Sequence, residues 1–314
     1  VQVQSIITLT MNPAIDLSTS VARVVPNHKL RCAGADHDPG GGGINVARVV
    51  SRLGGNATAI YPTGGVSGQL LKRLVEREGV ASSTFTVAEE TRLNITVLED
   101  QSGDEYRFVL PGPSLAPPEW QQALNILESL PPQPRMLVMS GSLPPGTPED
   151  FYARAARIAK RHGGMAVLDT SGPALAAALK EGVSLIKPSL RELRDLTGQE
   201  LEDEMSWHAA CFDLVASGQA EVIALTLGDK GALLVSRGGA LRAPALAIKA
   251  ASAVGAGDSF LGAMVWALAS GRDQEDAFRY GMAAGSAALL TPGTQLCRRD
   301  DVMRLYGQVA LHPL

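Results

Sequence analysis

Residues 136–196 run through MLVMS (136–140), FYARAARIAKR (151–161), MAVLD (165–169), ALAAALK (174–180), LIK (185–187) and LRELRDL (190–196). The first, third and fifth pieces are short apolar runs of strand length, and the pieces between them carry apolar residues at helical spacing. Strand and helix therefore alternate. The same rhythm extends toward the amino terminus, with Ser5–Thr10 as a strand, Gly43–Leu53 as a helix and Ala57–Tyr61 as a strand. Gln69–Glu78 follows as a helix, with Leu70, Leu71, Leu74 and Val75 on one face. Repeated units of this kind predict an α/β fold, a mostly parallel sheet flanked by helices on both faces. Such sheets bind ligands beyond the carboxyl ends of their strands.

Two segments break the alternation. Asn94–Leu98 and Glu105–Val109 have a period of two around Ser102-Gly103, a hairpin signal without a helix, and Ile15–Val24 and Leu30–Asp36 read the same way. The four pieces predict a small antiparallel sheet projecting as a lid. On this reading residues 13–38 and 91–112 form the lid, and 1–12, 39–90 and 113–314 form the core. A sheet that small needs a partner surface, so a homodimer through the lid is expected.

The chain has 314 residues, enough for a large α/β core. Lys and Arg number 28 against 32 Asp and Glu, a net charge of −4, so the whole-chain footprint of a nucleic-acid binder is absent. Gly 33 and Pro 19 fall well short of a low-complexity composition. The longest uncharged stretch, Tyr280–Cys297, is interrupted by Pro292-Gly293 and reads as a buried helix, not a membrane span. Val1–Thr10 has no basic region before its apolar residues and is a poor signal peptide. Cys32, Cys211 and Cys297 show no metal-ligand spacing. A reduced, cytoplasmic protein is the expectation.

AVGAGDSF (253–260) precedes an apolar helix, Leu261–Leu268. Glycines before a helix let the backbone approach a ligand, and the free N–H groups of the first turn make an anion site with Asp258 beside it. The same residues would also serve as a plain turn with Asp258 as N-cap. Dinucleotide, Walker A and G-x-S-x-G signatures are all missing, so a nucleotide site here is of another kind. A second run, GGGGIN (40–45), permits close backbone approach with Asn45 offered to a polyol; it also reads as a flexible hinge between lid and core, and the two readings are compatible.

NPAID (12–16), the four glycines, TLGDKG (226–231) and GAGD (255–258) occur in an order and spacing that resemble the ribokinase-like sugar kinases, the PfkB family. SGSLPPG (140–146), LRC (30–32), TR (91–92) and KP (187–188) add to the resemblance, which covers essentially the whole chain. It looks closest to the phosphosugar branch of 6-phosphofructokinase type. The resemblance implies a Rossmann-like core, a β-sheet lid and ATP-dependent phosphorylation of a ketose phosphate, fructose 6-phosphate first. Fructose 1-phosphate and tagatose 6-phosphate kinases share almost all of these motifs. A catalytically silent sugar-phosphate sensor on the same fold is the reading from another class.

The resemblance also implies roles. Asp258 would take the proton of the attacking hydroxyl, with Gly255, Ala256 and Gly257 forming the anion hole. A carboxylate at a helix amino end is expected to have a lowered pKa. Asp16, Gly41, Gly42, Asn45 and Ser142 would hold the sugar. Arg92 would fork its phosphate, and Lys29 and Arg31 would arrive from the neighbouring lid. Lys187, Ser189, Thr226, Gly228, Gly231, Gly257 and Ser286 would surround ATP. Mg²⁺ would be held through water by Glu192, and K⁺ by Ser252, Val254, Ala288 and Gly293. Two positions depart from the family pattern: Ser189 stands where N-x-x-E has Asn, which predicts a rearranged magnesium network, and Ala253 precedes Val254-Gly255.

Overall fold

The computed structural model describes residues 5–131 and 135–314, so residues 1–4 and 132–134 of the expected core segments lie outside the described residues. The strands are β1 (Ser5–Leu9), β2 (Ala14–Val21), β3 (Asp36–Gly40), β4 (Ala57–Thr63), β5 (Ala81–Thr86), β6 (Arg92–Glu99), β7 (Glu105–Val109), β8 (Arg135–Ser140), β9 (Met165–Asp169), β10 (Val183–Ile186), β11 (Ala220–Thr226), β12 (Ala232–Ser236), β13 (Gly239–Ala243) and β14 (His312–Pro313). The helices are α1 (Gly42–Arg52), α2 (Gly65–Arg77), α3 (Pro117–Ser129), α4 (Phe151–Arg161), α5 (Gly172–Leu179), α6 (Leu190–Thr197), α7 (Glu204–Ala216), α8 (Ala256–Ala269), α9 (Gln274–Ala288) and α10 (Arg299–Tyr306).

A ten-stranded sheet runs β14-β13-β12-β11-β10-β9-β8-β1-β4-β5. Every pair from β11 to β5 is parallel, and β12, β13 and β14 close one edge antiparallel. Successive side chains enter opposite cores. Met136 and Val138 join α1, α2, α8, α9 and α10, whereas Leu137 and Met139 join α3 to α7. Both faces are covered, which is why these strands read as unbroken apolar runs. The chain winds from β1 out to β4 and β5 on one side and returns to β8 through β11 on the other. The reversal leaves a crevice beyond the carboxyl ends of β1 and β8.

The second sheet has the order β3-β2-β6-β7. Its outer pairs are antiparallel, but β2 and β6 pair in parallel, from Ala14 opposite Arg92 to Val21 opposite Glu99. An all-antiparallel sheet was the expectation. The parallel centre follows because the chain leaves this sheet, builds α1, β4, α2 and β5 in the core, and re-enters in the same direction.

Boundaries moved where tertiary contacts set them. The strand expected at Leu30–Asp36 forms instead at Asp36–Gly40, where Asp36 to Gly40 pair with Ser18 to Ala14. The helix expected at Gln69 starts at Gly65, since the Glu90 carboxylate accepts the Val66 and Ser67 N–H groups at 3.1 Å each. That cap comes from a distant loop and leaves no local signature. The uncharged stretch 280–297 is helical only to Ala288. α8 is apolar almost all round because it lies between α1 and α9, and Gly262 brings it against α1, where an added Cβ would stand 2.7 Å from Val49 Cβ. Among the described residues, no helix is long and apolar enough to cross a membrane.

Candidate active site

A cleft of about 350 Å³ opens beyond the strand ends, between the large sheet, the amino ends of α1 and α8, and the inner side of the small sheet. Of the residues singled out from sequence, Asp16, Gly41, Gly42, Asn45, Arg92, Ser142, Glu192, Val254, Gly255 and Asp258 line it.

Gly255 is the N-cap of α8 in the left-handed region (φ 75°), and an added Cβ there would meet Leu296 Cδ2 at 2.7 Å. Ala256 and Gly257 then open the first turn, whose N–H groups have no intrahelical acceptor. Asp258 does not cap this helix. Its Oδ2 accepts a hydrogen bond from Asn45 Nδ2 at 2.8 Å, across the cleft floor. Burial pushes the Asp258 carboxyl up to about 6, with the nearby Asp169 charge adding to the push and Asn45 and Lys187 opposing it. The lowered pKa expected from the helix end is thereby overturned: desolvation and a second carboxylate outweigh the dipole.

Lys187 follows β10 and is buried, with Nζ 3.1 Å from Asp169 Oδ1. Burial alone would lower the Lys187 pKa, but Asp169, Asp258 and Glu192 outweigh it and raise it. Asp169 itself is raised, chiefly by burial against the pull of Lys187. The Lys187 ammonium lies 3.4 Å from the point where a Gly257 Cβ would stand, so a fixed cation sits beside the open turn of α8. A backbone cradle with a buried cation suits a transferring phosphoryl group. The sequence reading missed Asp169. Its signal was present, as the last residue of a parallel strand at the ligand-binding end of the sheet.

The glycine run admits close backbone approach. An added Cβ would fall 2.2 Å from Asp16 Oδ2 at Gly40, 2.1 Å from Ser140 Oγ at Gly42 and 2.5 Å from Thr10 Oγ1 at Gly43. These contacts dock the start of α1 between the ends of β1 and β8, which brings Asn45 to Asp258. On the lid side, Asp16 Oδ1 accepts from Asn94 Nδ2 at 2.8 Å. Burial, partly offset by Asn94 and Arg92, raises the Asp16 pKa.

Arg92 donates to the Leu110 and Asn12 carbonyls at 3.0 Å each, and its Nε is buried without a partner. The fork expected for a phosphate is thus occupied by backbone in this structure. Arg107 of β7, unremarked in the sequence, also lines the cleft and is exposed. Ser142 Oγ accepts from Asn12 Nδ2 at 3.1 Å.

The other expected residues lie off this cleft. Lys29 and Arg31 are exposed in the β2–β3 connection. Thr226 ends β11, its N–H and hydroxyl both on the Pro188 carbonyl at 2.9 and 3.3 Å. Gly228 and Gly231 flank the 3₁₀ turn Gly228–Lys230, and Ser286 is buried on α9. Ser189 forms a capping box with Glu192, whose Oε2 accepts from the Ser189 N–H and hydroxyl at 2.8 and 2.9 Å. Ser at the family's Asn position therefore works as a helix N-cap that engages one Glu192 oxygen.

Among the described residues no three His, Cys, Asp or Glu cluster as a metal site. A divalent ion would be held mainly by phosphate oxygens and water, which suits one carboxylate, Glu192, at the cleft edge. In the loop expected to bind potassium, Ser252 Oγ accepts from Val254 N at 3.2 Å and reaches Glu105 Oε2 of the lid at 3.3 Å. The Ala288 carbonyl accepts from Thr291 Oγ1 at 2.8 Å, and Gly293 has a φ of 58°.

A parallel sheet with its crevice at the switch point, a helix-start anion cradle, a buried lysine and a carboxylate near pKa 6 together describe a phosphotransferase acting on a hydroxyl. The chain belongs to the pfkB family of carbohydrate kinases, whose model matches residues 6–301. The ATP-dependent 6-phosphofructokinase isozyme 2 of Mycobacterium tuberculosis is 46% identical over 305 residues, 97% of this chain and 90% of that protein. The crystal structure of Escherichia coli phosphofructokinase-2 in complex with potassium superposes with a TM-score of 0.93 at 40% identity, covering 97% and 99% of the two chains. The same enzyme in complex with fructose-6-phosphate gives 0.92 at 39% identity, again over 97% and 99%. It has also been solved in a tetrameric inhibited form.

Proposed function

We propose that this protein is an ATP-dependent 6-phosphofructokinase that converts fructose 6-phosphate to fructose 1,6-bisphosphate in the cytoplasm. The observation that carries the reading is Asp258 facing the cleft beside the first turn of α8, with Lys187 at the same turn. The Asp258 carboxylate accepts the proton of the sugar 1-hydroxyl as its oxygen bonds to the γ-phosphorus and the bond from phosphorus to the departing ADP oxygen breaks. The Ala256 and Gly257 N–H groups and the Lys187 ammonium hold the charge on the transferring group. A loose transition state asks mainly for this positioning.

Asp16 and Asn45 orient the sugar hydroxyls. Arg107, with Arg92 once its fork is released, meets the 6-phosphate. Thr226, Gly228, Gly231 and Ser286 border the nucleotide. Glu192 would hold Mg²⁺ through water, and the ion would supply charge neutralisation for the nucleotide phosphates. Ser252, Val254, Ala288 and Gly293 would hold potassium. Leu93, Phe108, Val109 and Leu110 are exposed on the lid, an apolar surface that suits a second copy of the chain. That copy would bring Lys29 and Arg31 to the site.

ADP release measured over phosphorylated ketoses, with and without Mg²⁺, tests the reading. Fructose 6-phosphate should exceed fructose 1-phosphate and tagatose 6-phosphate in kcat/KM by about tenfold or more, the scale of a repositioned polar contact. A different best substrate would reassign it, and binding without turnover would make the protein a sensor.

A further inference from the structure

Arg48 lies on α1 one turn beyond Asn45, and its side chain is 1% exposed. Taking a guanidinium out of water is expensive, and apolar filling of the same space commonly serves stability as well. Four acceptors meet it here. Nη1 donates to the Pro39 carbonyl at 3.0 Å and to Asn45 Oδ1 at 3.1 Å, and Nη2 donates to Asp38 Oδ1 and Glu78 Oε1 at 3.2 Å each. Asn45 spends its other end on Asp258.

We propose that Arg48 is a positioning residue for the base: its guanidinium locks the Asn45 amide with Nδ2 toward Asp258 and ties the lid root, through Asp38 and Pro39, to the same helix. An amide has two nearly isosteric orientations, one presenting a donor and one an acceptor. Arginine has donors only, so the amide oxygen must face Arg48 and the amide nitrogen must face Asp258. With Arg48 gone, the amide is free to turn its oxygen to Asp258, an arrangement that favours the protonated acid and removes the base. The other charged groups facing Asp258 are Asp169 at the end of β9, Lys187 after β10 and Asp16 on β2. Those around Arg48 are Asp38, Glu78, Asp16, which the guanidinium charge also favours in its ionised form, and, through Glu78, Arg52, whose Nη2 lies 2.9 Å from Glu78 Oε2.

The inference rests on Asp258 acting as base, as read above, and the test separates the two. Carboxyl carbon NMR titration of Asp258, assigned by its loss in Asp258→Asn, is compared with kcat against pH in the wild type, Arg48→Met, Arg48→Lys, Asn45→Ala and the Arg48→Met/Asn45→Ala double variant. In Arg48→Met the Asp258 midpoint and the acid limb of kcat should both move to higher pH by half a unit or more. The double variant should lose no more kcat than Asn45→Ala alone, because one residue acts through the other. Arg48→Lys keeps a donor-only cation beside the Asn45 amide oxygen and should bring the Asp258 midpoint back toward the wild-type value; should Arg48→Met fail to fold, Arg48→Gln, whose own amide can accept as well as donate and so no longer dictates the orientation of Asn45, carries the Arg48→Met expectation. An unmoved Asp258 midpoint, or losses in kcat that multiply in the double variant, would overturn the proposal. Absence of any kinase activity in the wild type would instead sink the functional reading, while the carboxyl titration still decides the role of Arg48.

Discussion

At Asp258 the same burial that raises the carboxyl to about 6 has two opposite effects, one on activity and one on stability. At neutral pH the group is mostly ionised yet basic enough to accept a proton, the compromise a general base needs. Turnover should fall as pH drops through 6. Asp258→Asn should lower kcat by about 10²–10⁴-fold with sugar and ATP KM nearly kept, and near-normal turnover would remove Asp258 from the mechanism. For stability the sign reverses. The folded carboxyl, near 6, holds its proton over the range where the unfolded one, near 3.8, has lost it. The wild type therefore loses stability as pH rises from about 4 through 6. Asp258→Asn escapes that loss and should be more stable at pH 8 by on the order of 2–3 kcal/mol, the gap closing below pH 4. Thermal unfolding at the two pH values reads this directly; equal midpoints at pH 8 would mean that the carboxyl is not desolvated.

At the scale of elements, the docking of α1 depends on positions where no side chain fits. Gly40→Ala would drive a Cβ into the Asp16 carboxylate, 2.2 Å from Oδ2. Asp16 must then swing away from Asn94, so KM for the sugar phosphate should rise about tenfold, a loss of roughly 1–2 kcal/mol of binding, with KM for ATP unchanged. Steady-state kinetics with each substrate varied in turn checks this. The glycines announced themselves in sequence, but whether they bent the chain or admitted a neighbour depended on what stood opposite. Helix α6 was legible from the helical spacing of Leu190, Leu193 and Leu196, whereas Ser189 and Glu192, read in sequence only as an altered magnesium motif, form a local capping box that the structure brought out. The start of α2 was not legible, because its cap, Glu90, is brought from another loop.

The whole molecule raises the question of which chain completes which cleft. Lys29 lies exposed and off the cleft of its own chain, while the lid carries exposed apolar side chains. If Lys29 serves a neighbouring site, mixing Lys29→Ala with Asp258→Asn under subunit exchange should create one intact site per heterodimer. The mixture should recover about a quarter of wild-type activity at low sugar phosphate, because half the dimers are mixed and each has one of two sites intact. No recovery would place Lys29 in its own subunit or outside the reaction.

The sequence by itself determined the alternation of strand and helix, the hairpin over residues 94–109 and the candidates Asp258 and Asn45, because periodicity and glycine placement are local properties of the chain; Asp16 became a candidate only through the resemblance to a family. Only the tertiary structure decided that Asp169 and Arg107 join the site, that Arg92 is engaged by backbone, that β2 and β6 run parallel, and that Asp258 is a raised acid. Each of these depends on groups far apart along the chain, and the energies that settle them, desolvation, Coulomb attraction and steric exclusion, act through space.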